Sequence, residues 1–323
     1  MLEVVFRRLV QAVGVVLVLT VVSFVGVFKI GDPIALLAHE NATELEIEEA
    51  RQRLGLDDPI HEQYLNYLGR MAVGDFGHSF VSRRPVVDVI AERLPATIEL
   101  TLAAFLISVL LGIPLGIAAG LKPESAAAQS IMAGSIIGFS LPTFWFGMML
   151  IMVFSVSLGW LPSIGRGDTV EFLGMHWAIL SADGWKHLLM PALMLSLTTV
   201  SLIIRLVASG MREILLMEYV KFARLKGLHE FRVVMLHAFK NVLIPVVTVL
   251  GLEIGSLLAG SIVTETVFAY PGVGKLLIDS INRLDRPVII TYLTLIVLFF
   301  VVINLIVDLI YTLLDPRARG TIR

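Results

Sequence analysis

The sequence contains no cysteine and little charge. With no cysteine among the 323 residues, disulfides, thiolate metal sites and cysteine nucleophiles are all excluded. Charged residues make up only 16% of the chain, against roughly 25% in an ordinary soluble domain. The net charge is −2, so the chain lacks the overall positive field that binds nucleic acid. The composition therefore disfavours both an ordinary soluble enzyme and a nucleic-acid-binding protein.

The chain is rich in apolar residues. They make up 57% of the chain, and the mean hydropathy is +0.86, which also excludes intrinsic disorder. A membrane span needs about 20 mostly apolar residues. Six stretches meet that length: 9–28, 96–121, 131–158, 188–208, 242–263 and 288–314. The sequence therefore predicts an all-α polytopic membrane protein with six transmembrane helices.

The spans divide the chain into four parts. Residues 1–8 form a short N-terminal segment, and 9–28 form an uncleaved first span. A long segment, 29–95, follows outside the membrane and is expected to contain short amphipathic helices. The remaining residues, 96–323, form the transmembrane core, which includes a polar loop at 209–241.

One amphipathic helix is predicted inside the long external segment. Ile60, Tyr64, Leu68 and Met71 recur every three or four residues, which is the spacing of one helix face. Together with Tyr67, this face suits the membrane surface or the tops of the spans. Two interpretations stay open: a cap on the external mouth of the protein, or direct contact with a substrate.

Charge predicts the orientation of the spans. The side that carries both termini has 13 lysines and arginines, counting Arg205. The opposite side has 5 once the long segment 29–95 is left out, because long segments do not obey the positive-inside rule. Both termini are therefore expected in the cytoplasm.

The polar loop between the fourth and fifth spans is the most informative segment. Residues 212–226 favour a helix that breaks at Gly227, and a second helical stretch is expected over 230–241. Basic and apolar residues are interleaved along both stretches, which suits docking into a groove of another protein. A solvated basic loop that merely obeys the positive-inside rule is the alternative.

Two segments of this loop carry a family resemblance. The stretch EYVKFARLKGL at 218–228, followed by HAFKNVLIP at 237–245, resembles the coupling loop of ABC importer permeases. More closely, it is similar to the B-type permease of the dipeptide, oligopeptide and nickel importers. The general E-A-A-x-x-x-G motif is only partly kept, because Lys221 and Phe222 replace its Glu and first Ala. Further matches lie at 31–33, 54–57, 74–79, 93–97, 142–145, 264–276, 308–311 and 315–317.

The resemblance implies a division of labour among several chains. This permease would form half of a type I ABC importer pore with a homologous second permease, and it would perform no chemistry itself. Two cytoplasmic ATPase subunits would hold the ATP and magnesium, and an external solute-binding protein would deliver the substrate. No cofactor is expected in this chain, and its place would be the bacterial inner membrane, in contact with lipid.

The resemblance also assigns residues to roles. The loop seated on an ATPase would comprise Glu218, Tyr219, Phe222, Ala223, Arg224, Lys226, Gly227 and Leu228. An external gate segment would comprise Glu265, Phe268, Pro271, Gly272 and Gly274.

Carboxylates inside spans are a separate signal, because a charge at membrane depth is costly and usually faces protein or water. Glu253 and Glu99 are the candidates for the pore or its vestibule. The alternatives are a hydrogen bond between permeases or a buried neutral acid for Glu253, and snorkelling towards the membrane surface for Glu99. Gly112, Gly116 and Gly120 recur every four residues, which predicts a close helix–helix contact.

The substrate stays open at this point. Peptides are expected first, while relatives with the same pattern also carry nickel complexes, glutathione or opine-like solutes. A proton-coupled secondary transporter is the alternative from another class, although such proteins usually show internal repeats and more spans.

Overall fold

A computed structural model describes residues 2–28 and 58–314, with side chains described at 13–26, 58–303, 305 and 306. The resemblance segments at 31–33, 54–57 and 315–317 lie outside the described residues, and so does most of the long segment that follows the first span. The described chain is mostly helical, which confirms the predicted fold class.

The helices and strands occur in the following order along the chain. The first half contains α1 (Leu2–Phe28), α2 (Ile60–Ala72), α3 (Val86–Leu121), α4 (Ala126–Ser140) and α5 (Thr143–Leu150), which continues as a π-helical segment (Ile151–Ser157). The second half contains β1 (Val170–Phe172), β2 (Met175–Trp177), α6 (Ala182–Leu215), α7 (Glu218–Leu225), α8 (Glu230–Arg232), a second π-helical segment (Val233–Phe239), α9 (Lys240–Val267), α10 (Val273–Asn282) and α11 (Arg286–Leu314).

The predicted count of six spans is confirmed only in part. Four helical stretches in the described residues are long and apolar enough to cross a bilayer: Val86–Leu121, Ala182–Leu215, Glu230–Val267 and Arg286–Ile303. The pair α4 and α5 with its π-helical extension would supply a fifth if it counts as one span. The helix α1 is 27 residues long, and the apolar stretch Val13–Gly26 lies within it.

The third predicted span, 131–158, is not one continuous helix. The chain bends by 107° between Ala126–Ser140 and Thr143–Ser157. Leu141 is extended, with φ −75° and ψ 136°, because the ring of Pro142 disfavours a helical conformation in the residue before it. The predicted span is therefore broken in the structure, and the proline sets a boundary inside the apolar run.

The described chain forms two compact units. The first comprises Met1–Pro95 and Pro271–Val302, and the second comprises Ala96–Tyr270 and Ile303–Arg323.

In the first unit, the predicted helix over Ile60–Met71 is confirmed as α2, and its tyrosines hold it against two other helices. The Tyr64 hydroxyl is hydrogen-bonded to the Thr20 hydroxyl of α1 at 3.0 Å. The Tyr67 hydroxyl is hydrogen-bonded to Thr294 of α11, also at 3.0 Å, and burial raises the pKa of Tyr67. The Phe24 ring packs against both tyrosine rings. This packing supports the interpretation of α2 as a cap on the spans.

In the second unit, α6 lies at the centre of the core, and its middle is buried among α3, α4 and α9. The glycines of α3 allow a close approach to it. A Cβ atom at Gly116 would lie 2.6 Å from Val207 Cβ, and one at Gly120 would lie 2.6 Å from Met211 Cβ. Since real Cβ atoms do not come so close, the predicted small-residue contact is confirmed as the α3–α6 contact.

A short antiparallel hairpin, β1–β2, interrupts the helices of the second unit and was not predicted. It pairs Val170 with Trp177 and Phe172 with Met175. Its two-residue turn holds Leu173 and Gly174 at positive φ, as a type I′ hairpin turn requires.

Candidate functional site

The predicted coupling loop contains a short helix, α7, with a well-defined end. Glu218 lies in its first turn and Arg224 in its last, where each charge favours the helix dipole. Gly227 follows with φ +76°, which confirms the predicted break. Its N–H donates to the Arg224 carbonyl at 2.9 Å, and the N–H of Leu228 donates to the Ala223 carbonyl at 3.4 Å. This is a Schellman ending, which needs the left-handed conformation that glycine adopts without strain.

The start of α7 differs from the sequence expectation. One helix over 212–226 was predicted, but α6 ends at Leu215 and α7 begins only at Glu218. The chain turns at Leu216 and Met217, neither of which is a residue that normally marks a helix boundary. Sequence reasoning therefore had no local signal for this break.

The two faces of α7 have opposite environments. Val220 and Ala223 are buried and pack against Val233 of the second π-helical segment. On the other face, Tyr219 is exposed, Phe222 is 58% exposed and Leu225 is 84% exposed. We call Tyr219, Phe222 and Leu225 the docking face. An exposed apolar helix face on an otherwise polar loop is the kind of surface that amphipathic helices use to bind a groove, and its binding to another protein stays a prediction.

Polar contacts fix α7 to the helix that follows it. The Arg224 guanidinium donates to both carboxylate oxygens of Glu230, at 2.7 and 3.2 Å. The Asn241 side-chain amide donates to the Tyr219 hydroxyl at 3.0 Å. Glu230 begins a 38-residue apolar helical stretch that ends at Val267. These contacts therefore attach α7 to the beginning of this long helix.

The residues assigned to the coupling loop thus divide into two groups. Tyr219 and Phe222 are exposed, and Lys226 extends its ammonium group over the Phe222 ring at 4.7 Å. Ala223 and Leu228 pack inwards instead, and Gly227 shapes the turn. Glu218 pairs with Lys221 at 2.8 Å on the surface. Their contact with an ATPase stays a prediction.

Glu253, the first pore candidate, is half-buried in α9. One of its carboxylate oxygens accepts a hydrogen bond from the Thr199 hydroxyl of α6 at 3.0 Å. The side chain is therefore positioned by a neighbouring helix and is still partly exposed. A role in the pore stays a prediction.

Glu99, the second candidate, is buried among donors of the protein itself. One oxygen accepts from Arg166 Nε at 2.7 Å and from the Tyr270 hydroxyl at 2.5 Å. The other accepts from the backbone N–H groups of Ala178 and Ile179, at 2.9 and 3.3 Å. Burial and the Glu99 charge raise the pKa of Tyr270. In this geometry Glu99 anchors the loop between α5 and α6, and its contact with substrate stays a prediction.

The external gate segment is held in a similar way. Glu265 is fully buried and accepts a hydrogen bond at 2.6 Å from the hydroxyl of Thr97, which lies two residues before Glu99 in α3. Phe268 is also buried, and the next residue, Ala269, has φ 46°. The remaining gate residues belong to the first unit: Pro271, Gly272 and Gly274. Their action as a gate stays a prediction.

Apolar spans, a buried carboxylate that organises a loop, and a short helix with an exposed apolar face together define a polytopic membrane protein. Comparison with known proteins places it in a family. Residues 112–320 match the family "binding-protein-dependent transport system inner membrane component", and residues 1–101 match that family's N-terminal region. The chain belongs to this family of ABC importer permeases.

Two groups of relatives match over almost the whole chain. A di/tripeptide transport system permease, DppB of Pseudomonas aeruginosa, is 39% identical over 333 residues, covering 99% of each chain. A glutathione transport system permease, GsiC of Salmonella typhimurium, is 40% identical over 320 residues, again with 99% coverage of each. GsiC of Escherichia coli K12 is 39% identical with the same coverage.

A solved structure shares the fold. The chain resembles an inward-facing structure of the MetNI methionine ABC transporter with a TM-score of 0.54. The match covers 68% of this chain and 93% of that chain at 18% identity. It shows the fold of a type I importer permease.

Proposed function

We propose that this permease imports di- and tripeptides as half of a heterodimeric pore, driven by two ATPase subunits, one of which binds the docking face. A homologous second permease supplies the other half, and an external binding protein delivers the peptide. ATP hydrolysis takes place in the ATPase subunits. The observation that carries the coupling proposal is α7, which exposes Phe222 and Leu225 while its other face is fixed to the helix starting at Glu230.

The proposed mechanism follows from that attachment. When two ATPase subunits close on ATP, each moves the docking element that is seated in it. In this chain the movement of α7 passes to Glu230 through a bidentate ion pair and to Val233 through buried apolar contacts. Since both residues lie on the long stretch that ends at Val267, the whole helix tilts as a unit. The tilt opens and closes the path for substrate.

The docking face can be tested with two serine substitutions. Burial of a Phe or Leu side chain contributes about 1.5–3 kcal/mol, so Phe222→Ser with Leu225→Ser is expected to abolish co-purification of the ATPases. Leu173→Ser is a matched control, because Leu173 is 86% exposed and Leu225 is 84% exposed. Co-purification and ATP-driven uptake that survive the double substitution would contradict the assignment.

The proposed orientation has both termini in the cytoplasm. Because the chain has no cysteine, a single introduced cysteine can be labelled without background, and its labelling shows on which side of the membrane it lies. Leu173→Cys in spheroplasts is expected to react with a membrane-impermeant maleimide, whereas Leu225→Cys is expected to react only after the membrane is opened. The reverse labelling pattern would show that the protein has the opposite orientation in the membrane.

Glutathione is the second candidate substrate, supported by the 40% identity to a glutathione permease. Glutathione is itself a tripeptide with a γ-linked first residue, so the two substrates are chemically close. Uptake of a labelled α-linked tripeptide into proteoliposomes, competed with glutathione, separates them. If excess glutathione does not reduce uptake of the labelled tripeptide, the first proposal is supported. If glutathione abolishes that uptake and is itself taken up when labelled, the second is supported.

A further inference from the structure

The first unit contains a polar cleft that none of the roles above uses. It has a volume of about 290 Å³ and lies between the beginning of α3 and one face of α10. Its floor is apolar and is formed by Val89, Leu276 and Val288. Its rim carries the charged side chains Arg84, Glu92, Arg93, Asp279 and Arg283.

One wall of the cleft is held rigidly by a buried carboxylate. Asp285 accepts hydrogen bonds from the Ser79 hydroxyl, from the Phe80 N–H at 2.9 Å and from the Val81 N–H at 3.4 Å. Two non-glycine residues beside it, Arg83 and Leu284, have positive φ values of 56° and 51°. Such strain persists only where the surroundings over-determine the backbone, and it concentrates at binding sites.

The rim charges do not cancel once their pairs are considered. Arg84 donates to both carboxylate oxygens of Glu92, and Lys275 pairs with Asp279 at 3.2 Å. The Asp285 carboxylate is occupied by its three donors. Arg93 and Arg283 are left, and within the described part of the chain neither guanidinium has a hydrogen-bonded carboxylate. The donors to Asp285 are neutral and leave its charge in place, so Arg93 and Arg283 give the cleft a net charge of +1 above its apolar floor.

We propose that this cleft receives an acidic side chain of the external binding protein, with Arg93 and Arg283 as its carboxylate ligands. Guanidinium groups bind carboxylates in pairs of parallel hydrogen bonds, and the apolar floor accommodates the methylene stem of a Glu or Asp. With a volume of about 290 Å³, the cleft has room for one inserted side chain. The inference rests on the proposed function, which supplies the binding protein and places this cleft outside the cell.

The test uses the complete transporter in nanodiscs with its own substrate-loaded binding protein. Arg93→Gln with Arg283→Gln, and Arg283→Gln alone, are compared with the unmodified complex. Arg83→Gln is the matched control, because Arg83 is an exposed arginine of the same loop that does not line the cleft. Affinity is measured at low salt and at ~1 M NaCl, where the Debye length falls to about 3 Å.

We expect the double variant to bind the binding protein about tenfold or more weakly at low salt, and to lose most of the salt dependence. Arg283→Gln alone is expected to lie between the double variant and the unmodified complex, and Arg83→Gln to match the latter. Unchanged affinity in the double variant, or an equal loss in Arg83→Gln, would overturn the proposal. The proposal would also be overturned if free glutamate displaced the binding protein completely while substitution of the binding protein's own acidic residues left the affinity unchanged.

The experiment distinguishes failure of the cleft assignment from failure of the proposed function. Only complexes that co-purify with the ATPases and hydrolyse ATP are scored for docking. If no such complex forms, the proposed function fails; if complexes form and the arginine variants bind normally, only the cleft assignment fails.

Discussion

The buried carboxylate of Glu99 offers a prediction whose size can be worked from its contacts. It accepts four hydrogen bonds, two on each oxygen, from Arg166, Tyr270, Ala178 and Ile179. In Glu99→Gln, the amide nitrogen must face one of these two sets of donors, whichever way the amide is turned. The substitution therefore removes the charge partner of a nearly buried arginine and places donor against donor. Removing one partner of a buried ion pair costs about 3–5 kcal/mol.

A double-mutant cycle isolates this interaction. Glu99→Gln, Arg166→Gln and the double variant are unfolded in mixed micelles, with tryptophan fluorescence as the probe. Each single substitution disrupts the same ion pair. The loss of unfolding free energy in the double variant is therefore expected to be smaller than the sum of the two single losses by about 1–3 kcal/mol. A Glu99→Gln effect below about 0.5 kcal/mol, which is typical of a surface site, would refute the anchor role, and so would strict additivity of the two singles.

Two further predictions test the helix contact and the coupling turn. Gly116→Ala forces a Cβ atom against Val207 and is expected to destabilise the protein by about 1–3 kcal/mol in the same unfolding assay. Gly134→Ala is the control and is expected to be near neutral, because nothing lies within 4 Å of a Cβ atom there. Equal effects of the two substitutions would contradict the α3–α6 contact. Gly227→Pro cannot adopt φ +76° and is expected to leave the protein inserted but to abolish co-purification with the ATPases. Gly159→Pro carries the same backbone conflict at φ +63° and is expected to retain the ATPases, so loss in both variants would point to general misfolding.

Features that depend on local spacing were accessible from the sequence. The four-residue repeat of glycines predicted the close contact of α3, because a period near one helical turn marks one face whatever lies opposite. Gly227 predicted the end of α7 for a similar reason, since a left-handed residue terminates a helix locally. The family resemblance extended these local signals to the whole chain, and the comparisons confirm it.

Features that depend on distant partners were not accessible. Glu99 and Arg166 are separated by 67 residues, and Ser79 and Asp285 by 206, so no local pattern indicates that they meet. A carboxylate in a span could equally face water, a substrate or a buried arginine, and only the three-dimensional contacts distinguish these environments. The bend at Pro142 is different, because the proline rule was available but the hydropathy of the run outweighed it.

The most direct test of the central claim is uptake by purified components. Proteoliposomes would contain this permease, its partner permease and the two ATPases, with the binding protein and a labelled tripeptide outside. Uptake is predicted to require ATP and the binding protein, to be unaffected by a protonophore, and to vanish in the Phe222→Ser, Leu225→Ser double variant. Uptake by this chain alone, driven by a proton gradient without ATP, would contradict the account.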